Sequence, residues 1–431
     1  MRFNTLPEWL RWQESLHPRE IELGLERVGE VLLRLELTRP NFKLITVAGT
    51  NGKGSSVAML EAILLAAGYH VGSYTSPHLL RYNERIKVDG RPVDDATLCA
   101  AFSRIDAARL GKVSGAGASD AATVSLSYFE FGTLAAIDIL QRAGVDIAIL
   151  EVGLGGRLDA VNVLDADVAL ITAIDVDHVD WLGADRETIA REKAGILRSG
   201  RPAVCADPSP PSSLLAYAAQ LATPLSLLAR DFFITRPEGQ EGCWDWQGAG
   251  QAWRQLPIPA LPGAFQLRNA AGVLAALAAL AADFPLDQAA ICQGLKTVRL
   301  PGRFQVLEGL PMQILDVAHN AQSAQALAEN LRCLPRAGRT RVVLAMLTDK
   351  DIASVVGHLT ALVDVWYLAP LDVPRAAPLS QLQAAFGDET TEVFASVTAA
   401  HRAALAASEP QDLVVVCGSF HTVAAVLGDT V

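Results

Sequence analysis

At 431 residues, 51% hydrophobic and 19% charged, the chain is long enough for two domains and apolar enough to bury a large interior. Its formal net charge of −11, with no cluster of Lys and Arg, speaks against a nucleic-acid partner and for small-molecule ligands. Six cysteines (Cys99, Cys205, Cys243, Cys292, Cys333, Cys417) stand far apart without a CxxC pair, against a structural zinc site or a disulfide framework.

The N-terminal "MRFNTLPEWLRWQ" carries charges and tryptophans where a signal peptide needs an apolar run. The most apolar helix candidate, Ala270 to Ala282, falls well short of the roughly 20 residues that span a bilayer. A cytoplasmic protein with no membrane partner is expected, and a monomer, since no heptad or large apolar stripe is left over.

In chain order, Thr5 to Glu8 fits a capping box. Ile21, Leu25, Val28, Leu32 and Leu35 then recur at helical spacing. Three β-rich runs follow, "KLITVAGTN", "VDIAILEVG" and "DVALITAIDVDH", each ending in polar residues. Helical stretches from Ser55 to Ala67 and from Phe131 to Ala143 alternate with them, as in a parallel sheet. Ligands of such sheets bind beyond the carboxyl ends of the strands. Residues 107–123, rich in Gly, Ser and Ala, read as a mobile loop. The stretch "DFFITRPEGQEGCWDWQGAGQAW" reads as a small β-ribbon with its tryptophans in the core. Near residue 298 the helical pattern gives way to a second strand series, "MQILDVAHN", "TRVVLAMLTDK", "VDVWYLAPL" and "DLVVVCGSF". The expected fold is α/β, with an N-terminal parallel-sheet domain of the P-loop type over residues 1–297 and a smaller Rossmann-like α/β domain over residues 298–431.

The chemistry gathers at strand ends. Thr50, Asn51, Gly52, Lys53, Gly54 and Ser55 follow an apolar strand and open a helix, the setting in which backbone N–H groups wrap phosphate and a lysine adds a point charge. The spacing is GxxGKGS rather than GxxxxGKS, and a bare glycine turn with a solvated lysine is the plainer reading. Glu151 ends an almost wholly apolar run, so its carboxylate is paired, metal-bound or at a solvent-facing strand end. His178 follows the next run with Asp175 and Asp177 beside it; a structural histidine is the plainer reading there. Mg²⁺ bridging nucleotide phosphates wants a few fixed protein ligands, and Ser76 in "TSPH" is a further candidate. Lys193, in "IAREKAGIL", reads as an ordinary solvated lysine. Asp316, His319 and Asn320 end a strand of the second series, where a turn cap is the plain reading of Asn320.

Together "VAGTNGKGS", "SPHLLRYNERI", "YFEFGTLAA", "LEVGLGGRLDAVN", "DVDHVDWLG", "REKAGI", "PGRFQ", "LDVAHN" and "LTDKD" resemble the dihydrofolate synthase/folylpolyglutamate synthases, a branch of the Mur ligase superfamily. GTNGKGS is that branch's form of the phosphate loop. The resemblance implies an ATP-dependent amide ligase joining L-glutamate to 7,8-dihydropteroate or a reduced folate. It gives the loop with Lys53 to the ATP phosphates, and Ser76, Glu151 and His178 to Mg²⁺. Lys193 matches a lysine carbamylated by CO₂, which supports a second Mg²⁺. Asn269, Arg303 and Asp316 match nucleotide contacts, and His319 lies in the C-terminal active-site motif. Pterin contacts fall on Ser127, Tyr128, Phe129 and Glu130, on Leu158, Asp159 and Ala160, and on Ile21, Glu22 and Leu23. Asp177, directly before the metal-matching histidine, has no role in that pattern. Two rivals are a peptidoglycan Mur ligase and a P-loop regulator. Only 48 residues precede Gly49, too few for the uridine-nucleotide domain of the first. The guanine-reading NKxD motif that the second would carry is not present in the sequence.

Overall fold

In the computed structural model two units divide the chain: Met1–Ser76, Asn83–Pro259 and Leu267–Val298 form the first, and Pro77–Tyr82, Ala260–Gln266 and Arg299–Val431 the second. Residues 2–18, 22–112, 122–239, 242–335, 337–387 and 389–430 are described. Ile21 and residues 113–121 of the Gly/Ser/Ala-rich stretch lie outside them.

The first unit is built on eight strands: β1 (Lys43–Ala48), β2 (Val71–Tyr74), β3 (Ile86–Val88), β4 (Arg91–Pro92), β5 (Ile147–Glu151), β6 (Val168–Ile171), β7 (Ala203–Cys205) and β8 (Leu225–Leu227). Their order across the sheet is β4, β3, β2, β5, β1, β6, β7, β8. From β2 to β8 every neighbouring pair is parallel. Such a sheet is covered on both faces, which is why β1, β5 and β6 are buried almost residue for residue and read as continuous apolar runs rather than alternating ones. The helices Lys53–Ala66 and Tyr128–Ala143 supply crossovers. The latter begins three residues before its apolar run, because Ser127 caps it.

The predicted ribbon is a three-stranded antiparallel sheet of β9 (Phe232–Thr235), β10 (Cys243–Gly248) and β11 (Gln251–Pro257). Trp244 and Trp246 are buried, and their indole N–H groups donate to Pro257 O at 3.0 Å and Ala271 O at 3.1 Å. That is the condition on which a tryptophan enters a core.

Two expectations need correction. The helix predicted from Ile21 starts only at Glu26 and ends at Arg34. Gly24 N–H donates to Leu158 O at 3.1 Å, so residues 22–24 spend their backbone on a loop rather than on a helical turn. The stretch read as a loop from residue 107 is still helical to Arg109, the end of the helix Asp95–Arg109. At the N-terminus, Glu8 accepts from Thr5 N–H at 3.1 Å and from its hydroxyl at 2.7 Å, as the capping pattern requires.

The second unit has one six-stranded sheet: β12 (Gln305–Leu307), β13 (Met312–Leu315), β14 (Thr340–Leu344), β15 (Val365–Leu368), β16 (Thr391–Val393) and β17 (Leu413–Cys417), in the order β12, β13, β17, β14, β15, β16. Only β12 pairs antiparallel. Successive residues feed opposite cores: Val342, Leu344, Trp366 and Val415 pack on one face, Val343, Tyr367, Val414 and Val416 on the other. Both units are thus α/β. No helix among the described residues is long and apolar enough to cross a membrane.

Candidate active site

The phosphate loop follows β1 and is bolted to the exit of β6. Thr50 N–H donates to Ala173 O at 2.7 Å, and Thr172 Oγ1 donates to Asn51 O at 2.7 Å. Gly49 and Gly52 have φ of 153° and 90°. A Cβ on Gly49 would lie 1.8 Å from Thr172 Oγ1, and one on Gly52 2.6 Å from Asn269 Oδ1. Both glycines are therefore required by backbone angle and by space. The turn delivers Lys53 as first residue of the helix Lys53–Ala66, with Gly54 and the buried Ser55 next. Lys53 Nζ donates to Gly49 O at 3.0 Å and Thr50 O at 3.2 Å, so it lies over the loop. Asn269, on the helix Phe265–Ala279, borders the same turn.

β5 lies directly beside β1, with Glu151 opposite Val47, and β2 lies on its other side, with Tyr74 opposite Leu150. Adjacent strand ends bring Ser76 and Glu151 together: Ser76 N–H donates to Glu151 Oε2 at 3.2 Å. Glu151 is buried, 5% exposed, which disposes of a solvent-facing strand end. His178 has a left-handed φ of 53° at the start of the helix Val179–Leu182, and its N–H donates to Asp177 Oδ1 at 2.8 Å.

Lys193 is not a solvated lysine. It is 3% exposed near the end of the helix Arg186–Ala194. Burial, and then the positive charge of Lys53, push its ammonium down to about 7, against the pull of Asp177 and Asp159. Near neutral pH this amine is therefore only partly charged, a condition for nucleophilic chemistry. The loop after β5 packs against it: a Cβ on Gly156 would stand 3.1 Å from Lys193 Cα, and Arg157 N–H donates to Glu192 O at 2.8 Å. Lys53, Asp159, Asp177 and Lys193 thus share one electrostatic neighbourhood.

The three segments matched to pterin contacts also meet. Ser127 caps the helix Tyr128–Ala143, accepting from Glu130 N–H at 3.3 Å, while its own N–H donates to Glu130 Oε2 at 2.7 Å. Arg27 binds Glu130 Oε1 through Nη2 at 2.8 Å, Glu22 Oε1 through Nη1 at 2.8 Å and Glu22 O at 2.8 Å. Leu23 precedes Gly24, whose N–H reaches Leu158 O. Asp159 caps the short 3-10 turn Ala160–Val163, accepting from Val161 N–H at 3.0 Å and Leu154 N–H at 2.8 Å. Burial raises its carboxyl to about 6 against those hydrogen bonds and the charge of Lys53. Phe129 stands beside Tyr74, ring centroids 5.9 Å apart, and the Arg85 guanidinium lies over the Tyr128 ring at 5.5 Å. Ile21 lies outside the described residues.

In the second unit Asp316 ends β13. Its oxygens accept from Phe304 N–H at 2.7 Å and Ala318 N–H at 2.8 Å. Burial raises its carboxyl above the usual range, opposed by Arg303. The Arg303 guanidinium lies 4.9 Å from the Phe420 ring centroid. His319 places Nδ1 2.8 Å from Val317 O, which makes Nδ1 the donor and leaves Nε2 the acceptor in the neutral ring. Asn320 is indeed a cap: it opens the helix Ala321–Arg332 and accepts from Ser323 N–H at 2.9 Å.

Thr172 and Arg27 carry this architecture and are not legible from the sequence. Each is a common residue in an unremarkable stretch, and only the fold brings Arg27 next to Glu130.

A P-loop parallel-sheet unit and a second α/β unit, with a buried lysine whose ammonium is pushed down by burial and by Lys53, have the architecture of a nucleotide-dependent ligase of the Mur type. The family described as "Mur ligase, glutamate ligase domain" matches residues 302–420. The dihydrofolate synthase/folylpolyglutamate synthase of Escherichia coli (strain K12) is 44% identical over 424 residues, 98% of this chain and 95% of the relative. Among solved structures, E. coli FolC in complex with DHPP and ADP superposes with a TM-score of 0.91 at 43% identity, covering 99% of this chain and 98% of the other. A bifunctional folylpolyglutamate synthase/dihydrofolate synthase with Mn, AMPPNP and L-glutamate bound gives 0.89 at 45% identity, with coverage of 99% and 98%. The chain belongs to the dihydrofolate synthase/folylpolyglutamate synthase family.

Proposed function

We propose that this chain is a bifunctional ligase that uses ATP to join L-glutamate to 7,8-dihydropteroate and further glutamates to reduced folates. The observation that carries the reading is the placement of Lys193, buried and pushed down to about 7 beside Lys53 of the phosphate loop, in a chain 44% identical to a dihydrofolate synthase/folylpolyglutamate synthase.

The substrate carboxylate attacks the γ-phosphorus of ATP in line, and ADP leaves. Lys53 turns from the Gly49 and Thr50 carbonyls to the phosphates, where its charge offsets the negative charge on the phosphoryl oxygens. Asn269 in the first unit, and Arg303 and Asp316 in the second, carry over as nucleotide contacts from the family resemblance alone. The acyl phosphate presents a carbonyl carbon with a good leaving group; the glutamate amine attacks it, a tetrahedral intermediate collapses, and phosphate departs with the amide formed. His319, with Nε2 as acceptor, is suited to take a proton from the glutamate ammonium before attack, or from the amine nitrogen as its bond to the carbonyl carbon forms.

The donor set fits a hard divalent cation held jointly with phosphate oxygens. Ser76 and Glu151, joined by the Ser76 N–H bond to Glu151 Oε2 at 3.2 Å, would offer oxygens, and His178 would add a nitrogen, more usual toward Mn²⁺ than Mg²⁺. Among the described residues no group of three or more His, Cys, Asp or Glu could hold a metal ion; the proposed ion would take its remaining ligands from nucleotide and water. Such an ion, when bound, neutralises charge on the transferring phosphoryl group. The neutral form of Lys193 attacks the carbon of CO₂; a C–N bond forms, one C=O electron pair moves to oxygen, and the nitrogen loses a proton. The resulting carbamate is an anion and supports a second cation.

Glu22, Leu23, Ser127, Tyr128, Phe129, Glu130, Leu158, Asp159 and Ala160 frame the pterin site, and a monomer suffices for all of these roles. The test is phosphate release from ATP and Mg²⁺ with L-glutamate, comparing 7,8-dihydropteroate, tetrahydrofolate and no pterin. Release needing both glutamate and dihydropteroate supports the synthase, and added release with tetrahydrofolate supports the second activity. Release indifferent to pterin or to glutamate defeats the reading.

A further inference from the structure

The exit of β6 is gripped at two consecutive residues. Asp207, 3% exposed beyond the end of β7, accepts from Ile174 N–H through Oδ2 at 2.7 Å. Arg186, at the start of the helix Arg186–Ala194, donates through Nε to Ile174 O at 2.9 Å. Arg186 and Asp207 are themselves paired, Nη2 to Oδ2 at 3.2 Å, and the same Nη2 reaches Ser209 O at 3.1 Å. One ion pair thus holds both backbone groups of Ile174. At the next residue Thr50 of the phosphate loop does the same: its hydroxyl donates to Asp175 O at 2.8 Å and accepts from Asp175 N–H at 3.0 Å. His178 follows three residues later, in a left-handed conformation that Asp177 bonds to its N–H.

We propose that Arg186 and Asp207 are positioning residues that, with Thr50, fix the Ile174–Asp175 backbone so that His178 is presented to the divalent cation of the nucleotide complex. The inference rests on the metal reading given above. A buried strand exit with unpaired N–H and C=O groups does not keep one conformation, and a ligand carried on it inherits its wandering. The Arg186–Asp207 pair removes that freedom on the sheet side and Thr50 removes it on the loop side. Partners that orient metal ligands typically account for a 10- to 100-fold difference in metal affinity. The pair bonds Ile174 itself, whereas Lys53 Nζ bonds Gly49 O and Thr50 O, so binding of the metal-free nucleotide is the control for a general effect on the loop.

The test is direct Mn²⁺ binding, measured by electron paramagnetic resonance of free Mn²⁺ in the presence of a non-hydrolysable ATP analogue, on the full chain and on Arg186→Lys, Arg186→Ala, Asp207→Asn and His178→Ala. Arg186→Lys keeps the charge yet cannot serve Ile174 O, Asp207 and Ser209 O at once, so it remains informative if the alanine variant does not fold. The expected result is Mn²⁺ affinity lowered about tenfold or more in the Arg186 and Asp207 variants, approaching the loss in His178→Ala, with affinity for the metal-free nucleotide within about twofold of the parent. Unchanged Mn²⁺ affinity in folded Arg186 and Asp207 variants, while His178→Ala loses it, overturns the proposal and leaves the pair a brace for the fold alone. Unchanged affinity in His178→Ala removes the metal reading itself, and the proposal with it.

Discussion

Arg27 and Glu130, 103 residues apart in sequence, form a two-pronged ion pair, Nη2 to Oε1 at 2.8 Å and Nε to Oε1 at 3.2 Å, with Glu130 almost wholly buried. Burial pulls against the Arg27 guanidinium, and the contacts with Glu130 and Glu22 outweigh it, raising its pKa. A carboxylate so placed needs that cation, since an unpaired buried charge is far costlier than a missing pair.

Arg27→Met should therefore destabilise the protein by about 2 kcal/mol, less than the full penalty for a dry pair because the Arg27 side chain keeps 24% of its surface. Glu130→Gln in the same chain should recover most of that loss. A double-mutant cycle by urea unfolding checks this; strictly additive losses would show that the two do not interact. With activity in hand, Arg27→Met should raise KM for dihydropteroate and leave KM for ATP nearly unchanged, because the nucleotide loop has no contact with Arg27 among the bonds above.

Lys193 gives a pH dependence with a defined sign. Its folded pKa of about 7 lies below the ordinary value of 10.5, so between those values the unfolded chain binds more protons and stability rises with pH across that window. In CO₂-free buffer, Lys193→Met should flatten this rise, as read from urea midpoints at pH 7 and pH 10. The same shift favours carbamate formation above pH 7. Labelled ¹³C-bicarbonate should give a carbamate resonance in the parent protein that weakens as pH falls below 7 and is missing from Lys193→Met. A parent spectrum without that resonance would set aside the carbamate and the second cation it supports.

Most of the phosphate site was legible because its chemistry is local: glycines required by φ and by close approach, a lysine one residue later, and strands whose burial on both faces forces an apolar run that ends where the polar residues begin. Glu151 could be located from "DIAIL" for that reason. Lys193 could not. A lysine in "IAREKAGIL" looks solvated until the loop after β5 folds over it; Gly156 and Gly195 lie inside the quoted motifs "LEVGLGGRLDAVN" and "REKAGI", but nothing in either string says that the two segments meet. Arg27 was hidden for a similar reason, since Glu130 is supplied by a distant helix. Ahead of the helix that starts at Glu26, Gly24 N–H bonds Leu158 O and Glu22 O accepts from Arg27, long-range and side-chain contacts that the apolar spacing of Leu25 onward does not reveal.

Asp159 offers a test of the loop after β5. Its carboxyl, raised to about 6 from 3.8, binds protons more readily folded than unfolded between those values, so its contribution to stability is largest at low pH and is lost as pH rises through 6. Both oxygens accept backbone N–H bonds, from Val161 and Leu154. In Asp159→Asn one of those N–H groups must face an amide NH₂. The variant should lose about 1 to 2 kcal/mol at pH 5 and show no change of its own between pH 4 and 6. Denaturant titrations at those pH values measure both effects, and a variant as stable as the parent at pH 5 would mean that the carboxyl group does not hold the turn.

Gly52 provides the last and sharpest test of the loop geometry. With φ at 90° and a prospective Cβ 2.6 Å from Asn269 Oδ1, Gly52→Ala strains the backbone and strikes Asn269 together. The backbone part alone is worth roughly 1 to 2 kcal/mol, and the rest depends on whether Asn269 can move. Shortening the neighbour separates the two: Asn269→Ala frees the space without changing φ, so the double variant should regain stability over Gly52→Ala alone but keep the backbone part. Nucleotide affinity should not return with it, because Asn269 is lost as a contact and the turn that presents Lys53 is still strained. Fluorescence titration with a labelled ATP analogue reads that affinity, and recovery to the parent value in the double variant would place the nucleotide away from Asn269.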